Sequence, residues 1–457
     1  MAFAAGCAKN DPRELAPKVE HALDGSPVWV DDDAAGKRLW KLERKFYAAR
    51  QFTPAWFDGT KPTKPAGELL EALKASGKHG LDPARYSVQG LDAAAKKVSK
   101  EQVPDLDVHL TYAFFRHAAD LLGGTSSPKR IDDLWVAADK DVDLAQGLRK
   151  ALDAKQVRAA LDALAPAHAQ YRALQAALEE ARQKGDRAAE EKLVMNLERW
   201  RWAPRDLGER HLLVNVPAYE LQVVEKEKPV LAMRVVVGKP DAPTPLFSDE
   251  MGYVVFSPFW NIPEQILREE TLPKLARDPD YLVRSGIEAV TASGEPVDVN
   301  ALDWSDEKAT ANVRLRQIPG PDNALGLVKF MFPNHFNVYL HDTPEAALFQ
   351  KPQRAFSHGC IRVERPIDLA RYVLPDREKW SDERIAQAMN AGVEEWVTMK
   401  EKLPVHIGYY TAWVNADGKL VFTDDPYGID ARHAAVRRGQ APPEQPRRGI
   451  VAARKTF

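Results

Sequence analysis

The sequence predicts an α+β multidomain protein, with a helical domain followed by a β-rich one. Three observations carry that expectation. The chain has 457 residues, about three times the ~150-residue prior for one domain. Up to about Pro166 its apolar positions recur at helical spacing, whereas beyond about residue 204 they alternate with period 2. A hydrophobic fraction of 44% supplies more than one sizeable core.

Residues 1–37 hold few large apolar positions and read as a leader and linker. The helical domain is expected over 38–167. Leu69, Leu70 and Leu73 share a helix face, as do Tyr112, Phe115, Ala119 and Leu122. Gly80 and Pro83 punctuate between helices, and Gly123-Gly124 closes another. Residues 168–203 predict one long charged connecting helix, with acids and bases at i,i+4 spacings.

The β-rich domain is expected over 204–430. Tyr219, Leu221 and Val223 alternate, as do Met233, Val235 and Val237 ahead of Gly238. Tyr253 to Phe256 and Phe336 to Leu340 are further strands. The more polar stretch 264–312 reads as an insertion between strands. Val405 to Val414 and Lys419 to Phe422 predict a hairpin turning at Asp417-Gly418. The Arg- and Pro-rich end, 431–457, predicts a basic mobile tail.

Composition excludes several function classes. With 64 basic and 66 acidic residues the net charge is −2. That argues against a strongly cationic nucleic-acid binder and against an acidic solvating chain. No run of 18 apolar residues is present to span a bilayer. Two cysteines, Cys7 and Cys360, rule out a disulfide framework and a zinc ribbon.

Reactive side chains concentrate between His335 and Arg362. Val338-Tyr339-Leu340-His341-Asp342 reads as a strand entering a loop, and Ser357-His358-Gly359-Cys360-Ile361-Arg362-Val363 follows. A free thiol has a pKa near ~8.5, so a cysteine nucleophile needs an imidazole to take its proton. Either His341 or His358 offers one. Gly359 permits a tight turn that would present the amides of Gly359 and Cys360 to an oxyanion. The same thiol also suits a small buried hydrophobe. A zinc site from His335, His341, His358 and Cys360 matches no strong ligand spacing.

His341-x15-Ser357-His358-Gly359-Cys360 closely resembles the signature of the L,D-transpeptidase catalytic family, which cross-links bacterial peptidoglycan. The likeness covers roughly residues 40 to 430 and points to the large periplasmic subgroup with a helical scaffold domain. It continues through Phe52-Thr53-Pro54-Ala55-Trp56, Asn196-Leu197-Glu198-Arg199-Trp200-Arg201-Trp202, Phe259-Trp260-Asn261-Ile262-Pro263 and Tyr339-Leu340-His341-Asp342-Thr343-Pro344. The resemblance implies a mixed-sheet sandwich as catalytic domain, with Cys360 as nucleophile and His341 as base. The base's second nitrogen would be held by a backbone carbonyl. Ser357, His358 and Gly359 would shape the oxyanion side, and Arg362, where many relatives carry asparagine, would fix the loop or contact the peptide. Tyr339, Phe330, Trp260 and Asn261 are the substrate-binding candidates, and 264–312 stands where relatives carry a lid. Tyr171 to Leu197 is too short for the peptidoglycan-binding module that large relatives carry there.

The implied reaction is attack on the third residue of a stem tetrapeptide, loss of D-alanine, and transfer to an amine, forming 3-3 cross-links. Water as acceptor would make a carboxypeptidase, and a non-catalytic wall-binding scaffold would need no thiol. No metal or cofactor is required, because nucleophile, base and oxyanion donors come from the chain. The implied partners are peptidoglycan stem peptides and other cell-wall synthesis proteins. Ala4-Ala5-Gly6-Cys7 resembles a bacterial lipoprotein signal, which would place a lipid on Cys7 and hold a periplasmic protein to a membrane.

Overall fold

The computed structural model describes residues 12–278, 280–299, 302, 304 and 312–445. Cys7, the tail beyond Gln445 and residues 305–311 of the expected insertion lie outside the described residues. The chain divides into two compact units. A helical unit runs to Ser127, resumes over Ala138–Arg205 and takes in Ala412–Val414. A β-rich unit holds Pro128–Ala137 and Asp206–Thr411 and resumes at Asn415.

In the helical unit, α1 (Ala34–Ala49) starts where the Asp33 carboxylate accepts the Gly36 amide at 2.7 Å. The next helix, α2 (Lys64–Lys74), buries Leu69, Leu70 and Leu73, and α3 (Val103–Gly123) is buried along most of its length. Asp107 of α3 explains the Phe52 to Trp56 motif. Its buried carboxylate accepts the amides of Ala55 and Trp56, both at 2.8 Å, and the Tyr47 hydroxyl at 2.6 Å. Burial pushes this carboxyl up, and those donors pull it back.

The single long helix expected over 168–203 is two helices, α4 (Ala169–Lys184) and α5 (Arg187–Trp200), both within the helical unit. Gly185 takes φ +68°, ending α4, and Asp186 accepts the Ala189 amide at 3.0 Å, starting α5. Stop and start signals stand side by side, so the chain reverses there. Glu198 of α5 accepts the amides of Thr125 and Ser126, each at 2.6 Å. The motif around Trp200 is therefore structural here.

The β-rich unit contains β1 (Arg210–Asn215), β2 (Glu220–Glu225), β3 (Lys228–Gly238), β4 (Phe247–Phe256), β5 (Trp260–Asn261), β6 (Ile287–Thr291), β7 (Pro296–Val297), β8 (Val313–Gln317), β9 (Val328–Met331), β10 (Leu340–His341), β11 (Ala355–Ser357), β12 (Ile361–Val363) and β13 (Glu395–Gly408). Nine of them form one mixed sheet in the order β11-β3-β12-β10-β9-β4-β13-β1-β2, and β2 also pairs with β3, closing the sheet. β10 with β12, β11 with β3, and β13 with β1 are parallel. In straight register across the sheet run Trp396, Val255, Lys329, His341 and Arg362, each the partner of the next. Register partners share a face, so this row sets one working side.

Four expectations change. Phe336 to Leu340 is a strand only from Leu340, because the Asn334 side chain occupies the preceding backbone. Its amide donates to the carbonyls of Phe332 and Val338 at 2.6 and 2.8 Å. Of the expected hairpin, Val405 to Gly408 instead ends β13, while short strands over Ala412–Val414 and Leu420–Phe422 flank the expected turn, where Gly418 takes φ +76°. The insertion is organised: β5-β8-β6-β7 form a second sheet, reaching Gln317. It has its own small core of Leu282, Ile287, Ala289 and Leu315. The tail begins as a helix, Ile429–Arg437, whose buried Arg432 pairs with Asp132 at 3.0 Å.

Candidate active site

His341 ends β10 and Cys360 immediately precedes β12, the parallel neighbour of β10. The Ile361 amide donates to the Tyr339 carbonyl at 3.1 Å, which continues the pairing back to Cys360. Pleat alternation then puts Tyr339, His341, Cys360 and Arg362 on one side.

His341 is buried, with Nδ1 2.6 Å from the carbonyl of Asp342. A carbonyl only accepts, so Nδ1 carries the proton and Nε2 is the basic nitrogen. Desolvation, reinforced by the Arg362 charge, pulls His341 down to about 3, although the Asp342 and Leu325 carbonyls favour the protonated ring. The imidazole is therefore neutral across the ordinary pH range.

Cys360 is half-buried and uncrosslinked. Its sulfur lies 3.8 Å from the Asn337 carbonyl, and the polar groups of Tyr339 lie near enough to favour its thiolate. Burial pushes the thiol up, while Tyr339, Lys329 and Arg362 favour the thiolate. Cys360 and His341 make no direct hydrogen bond. Tyr339 lies across from Cys360 in the parallel register, with its ring centroid 5.8 Å from that of His341 in an edge arrangement. The tyrosine expected only to line a cleft is thus placed beside the thiol.

The turn before Cys360 is built from side chain to backbone. Ser357 Oγ donates to the Cys360 carbonyl at 2.5 Å and accepts the Gly359 amide at 3.1 Å. The Gly359 N–H is thereby spent, so the expected pair of oxyanion amides reduces to that of Cys360. Gly359 has φ +112°, a region side-chain-bearing residues rarely adopt. Its carbonyl accepts the Thr244 hydroxyl at 2.8 Å, and Thr244 Oγ1 accepts the Gly238 amide at 2.9 Å. The Tyr427 hydroxyl donates to the Gly238 carbonyl at 2.5 Å. Neither Thr244 nor Tyr427 is legible as a site residue from sequence. The only local signal is a threonine between Pro243 and Pro245.

His358 points elsewhere. Its Nε2 lies 2.9 Å from Oε1 of Glu270, which sits in a single π-helical turn, Leu267–Thr271, of the inserted region. Such turns recur at functional sites. Burial pulls His358 down, Glu270, Asp241 and Glu269 push it up, and Lys239 pulls it down, with lowering the net result.

A cavity of about 260 Å³ opens between the insertion and the sheet, lined among others by Trp260, Lys274, Gln317, Thr343 and Arg362. Arg362 donates to Glu345 at its wall. Of the remaining candidates, Asn261 faces solvent. Phe330 is a correction. It is fully buried on the opposite side of β9 from Lys329, pairs with Leu340, and serves the core. No cluster of three or more His, Cys, Asp or Glu side chains suited to a metal ion occurs among the described residues.

Comparison with known proteins gives three results. Residues 41–178 match the family model of the Scaffold domain, and 209–407 match that of the L,D-transpeptidase catalytic domain. A Haemophilus influenzae protein, named provisionally as an L,D-transpeptidase, is 34% identical over 240 residues, covering 52% of this chain and 48% of that protein. The chain thus spans about half the length of this curated relative. Among solved structures, an L,D-transpeptidase from Mycobacterium smegmatis aligns at 14% identity and TM-score 0.19, over 44% of this chain and 58% of the other. L,D-transpeptidase 1 of Mycobacterium tuberculosis aligns at 12% and 0.17, over 44% and 60%. The chain thus carries a region matching the L,D-transpeptidase catalytic domain over residues 209–407, preceded by one matching the Scaffold domain over 41–178.

Proposed function

We propose that the protein is a cysteine-dependent L,D-transpeptidase acting on peptidoglycan stem peptides and forming 3-3 cross-links. The observation that carries this reading is the placement of Cys360, Tyr339, His341 and Arg362 on one side of the parallel pair β10 and β12. The resting thiol faces the Asn337 carbonyl, and rotation about its Cα–Cβ bond turns it toward Nε2 of His341. Nε2 takes the thiol proton as sulfur attacks the carbonyl of the third stem residue. The bond to D-alanine breaks, and its amine leaves with that proton. An amine of a second stem then attacks the thioester, gives its proton to His341, and restores the thiol. The Cys360 amide and the Tyr339 hydroxyl are the donors nearest the developing charges.

The reaction belongs in the periplasm, where peptidoglycan lies, with a lipid on Cys7 as the anchor. No helix among the described residues is long and apolar enough to cross a membrane. The test uses tetrapeptide muropeptides with products resolved by mass. Cross-linked dimers with free D-alanine are expected, and Cys360→Ala should give neither. Trimmed monomers alone would assign water as the acceptor, and an unchanged product pattern from Cys360→Ala would remove Cys360 as nucleophile.

A further inference from the structure

Among the large apolar side chains of the catalytic domain, Trp396 and Tyr253 form an exposed pair. Trp396 is 54% exposed and Tyr253 36%. Their ring centroids are 6.2 Å apart at an interplanar angle of 71°, so the two rings make an open corner. Trp396 is held in place despite its exposure. Its Nε1 donates to Glu394 at 2.9 Å, and Glu394 in turn accepts the Phe259 amide at 2.9 Å. The Lys329 ammonium lies 5.4 Å from the Trp396 ring centroid. Ordering a bulky aromatic ring in water without covering it is the arrangement of a stacking platform, because a fixed ring loses little entropy on binding.

The pair is continuous with the candidate active site. Trp396 is in register with Val255, Val255 with Lys329, and Lys329 with His341. Lys329 also lies 5.5 Å from the Tyr339 ring centroid, linking the platform to the tyrosine across from Cys360. With the Lys329 ammonium 5.4 Å from one centroid and 5.5 Å from the other, the Trp396 ring is at most about 11 Å from the ring of Tyr339, the residue across from Cys360. A stem of three extended residues spans at most about 11 Å, and the lactyl linker to its sugar adds a few more. The glycan end of a stem peptide acylated at Cys360 therefore reaches this corner. A pyranose offers what such rings accept: a flat array of C–H bonds for an aromatic face, with hydroxyl and amide groups for Lys329 and Glu394 at the edge.

We propose that Trp396 and Tyr253 form a saccharide subsite that stacks an N-acetylated pyranose ring of the glycan strand carrying the donor stem. This deepens the transpeptidase reading and rests on it for the direction in which the stem runs.

The test titrates the full chain with glycan strands stripped of stem peptides, and separately with sugar-free tetrapeptide, following tryptophan fluorescence and calorimetry. The stripped glycan should bind. Trp396→Ala and Tyr253→Ala should each weaken it by about tenfold, the scale of one aromatic stacking contact, while Trp396→Phe keeps most of it. Failure of the wild type to bind stripped glycan overturns the subsite, as does unchanged binding by both alanine variants. Weakened binding of the tetrapeptide by the same alanine variants, with glycan binding intact, assigns the corner to peptide and also overturns it. Stripped glycan binds without any thiol chemistry, so loss of the cysteine mechanism would leave this readout standing.

Discussion

At the residue scale the site is a neutral pair. An acid whose pKa is raised loses its proton later than usual, and a base whose pKa is lowered gains one later. Cys360 is pushed up by burial and His341 is pulled down to about 3, so both are uncharged from roughly pH 4 through neutrality. Alkylation of Cys360 by iodoacetamide should therefore keep accelerating through and above the ordinary thiol range near ~8.5, with no inflection between pH 5 and 8. A rate that levels off below pH 7 would instead show a standing thiolate–imidazolium pair. Much of this chemistry was legible in the sequence, since the Ser357 to Cys360 run and His341 name the reactive groups. Their partners were not. The Asp342 and Asn337 carbonyls and the Thr244 hydroxyl act through positions that only pairing and turn geometry assign. Phe330 and Tyr339 are both aromatics near a strand, and side-chain alternation alone separates core from site.

At the element scale, the inserted region meets the turn before Cys360 through Glu270 and His358. The bond is charge-assisted and partly exposed, with side-chain exposures of 27% for His358 and 40% for Glu270, so its contribution is screened. Glu270→Ala should raise amide hydrogen exchange over residues 264–278 by roughly threefold to tenfold, while β9 and β10 stay protected. His358→Ala should do the same, and the double variant should be no worse than the worse single one. Additive effects would mean that the two residues act separately. Periodicity found the strands β2, β3 and β4 and the helices α2 and α3, because their large apolar side chains repeat at the element's own period even where, as in α3 and β2, both faces are buried. It merged α4 and α5 because charged residues on both carry a helical pattern across Gly185-Asp186, and only the conformation of those two residues separates them.

At the scale of the whole molecule, the structural units do not follow the sequence blocks. Residues Pro128–Ala137 lie amid helical sequence yet belong to the β-rich unit. Trp135 bridges to Leu246, the Leu246 amide donates to the Leu134 carbonyl at 3.0 Å, and Arg432 reaches both the Ile131 carbonyl and Asp132. Arg432 and Asp132 are each only 4% exposed. Asp132→Ala strands a buried guanidinium and should cost about 3–5 kcal/mol, measured by urea unfolding of the β-rich unit. A loss under about 1 kcal/mol would mean that water reaches Arg432. The parallel exchange, in which Ala412–Val414 joins the helical unit, rests on Gln170, whose side chain both donates to and accepts from the Val414 backbone at 2.7 and 2.8 Å. No pattern of apolar spacing announces such exchanges, since each involves a short segment whose partners are distant in the chain.

That exchange also sets a timetable. The Asp132 carboxylate precedes its Arg432 partner by 300 positions, and ribosomes add about 5–20 residues per second. The early segment must then wait roughly 15–60 seconds, open to proteases and to other hydrophobic surfaces, before the side chain that buries it has been made.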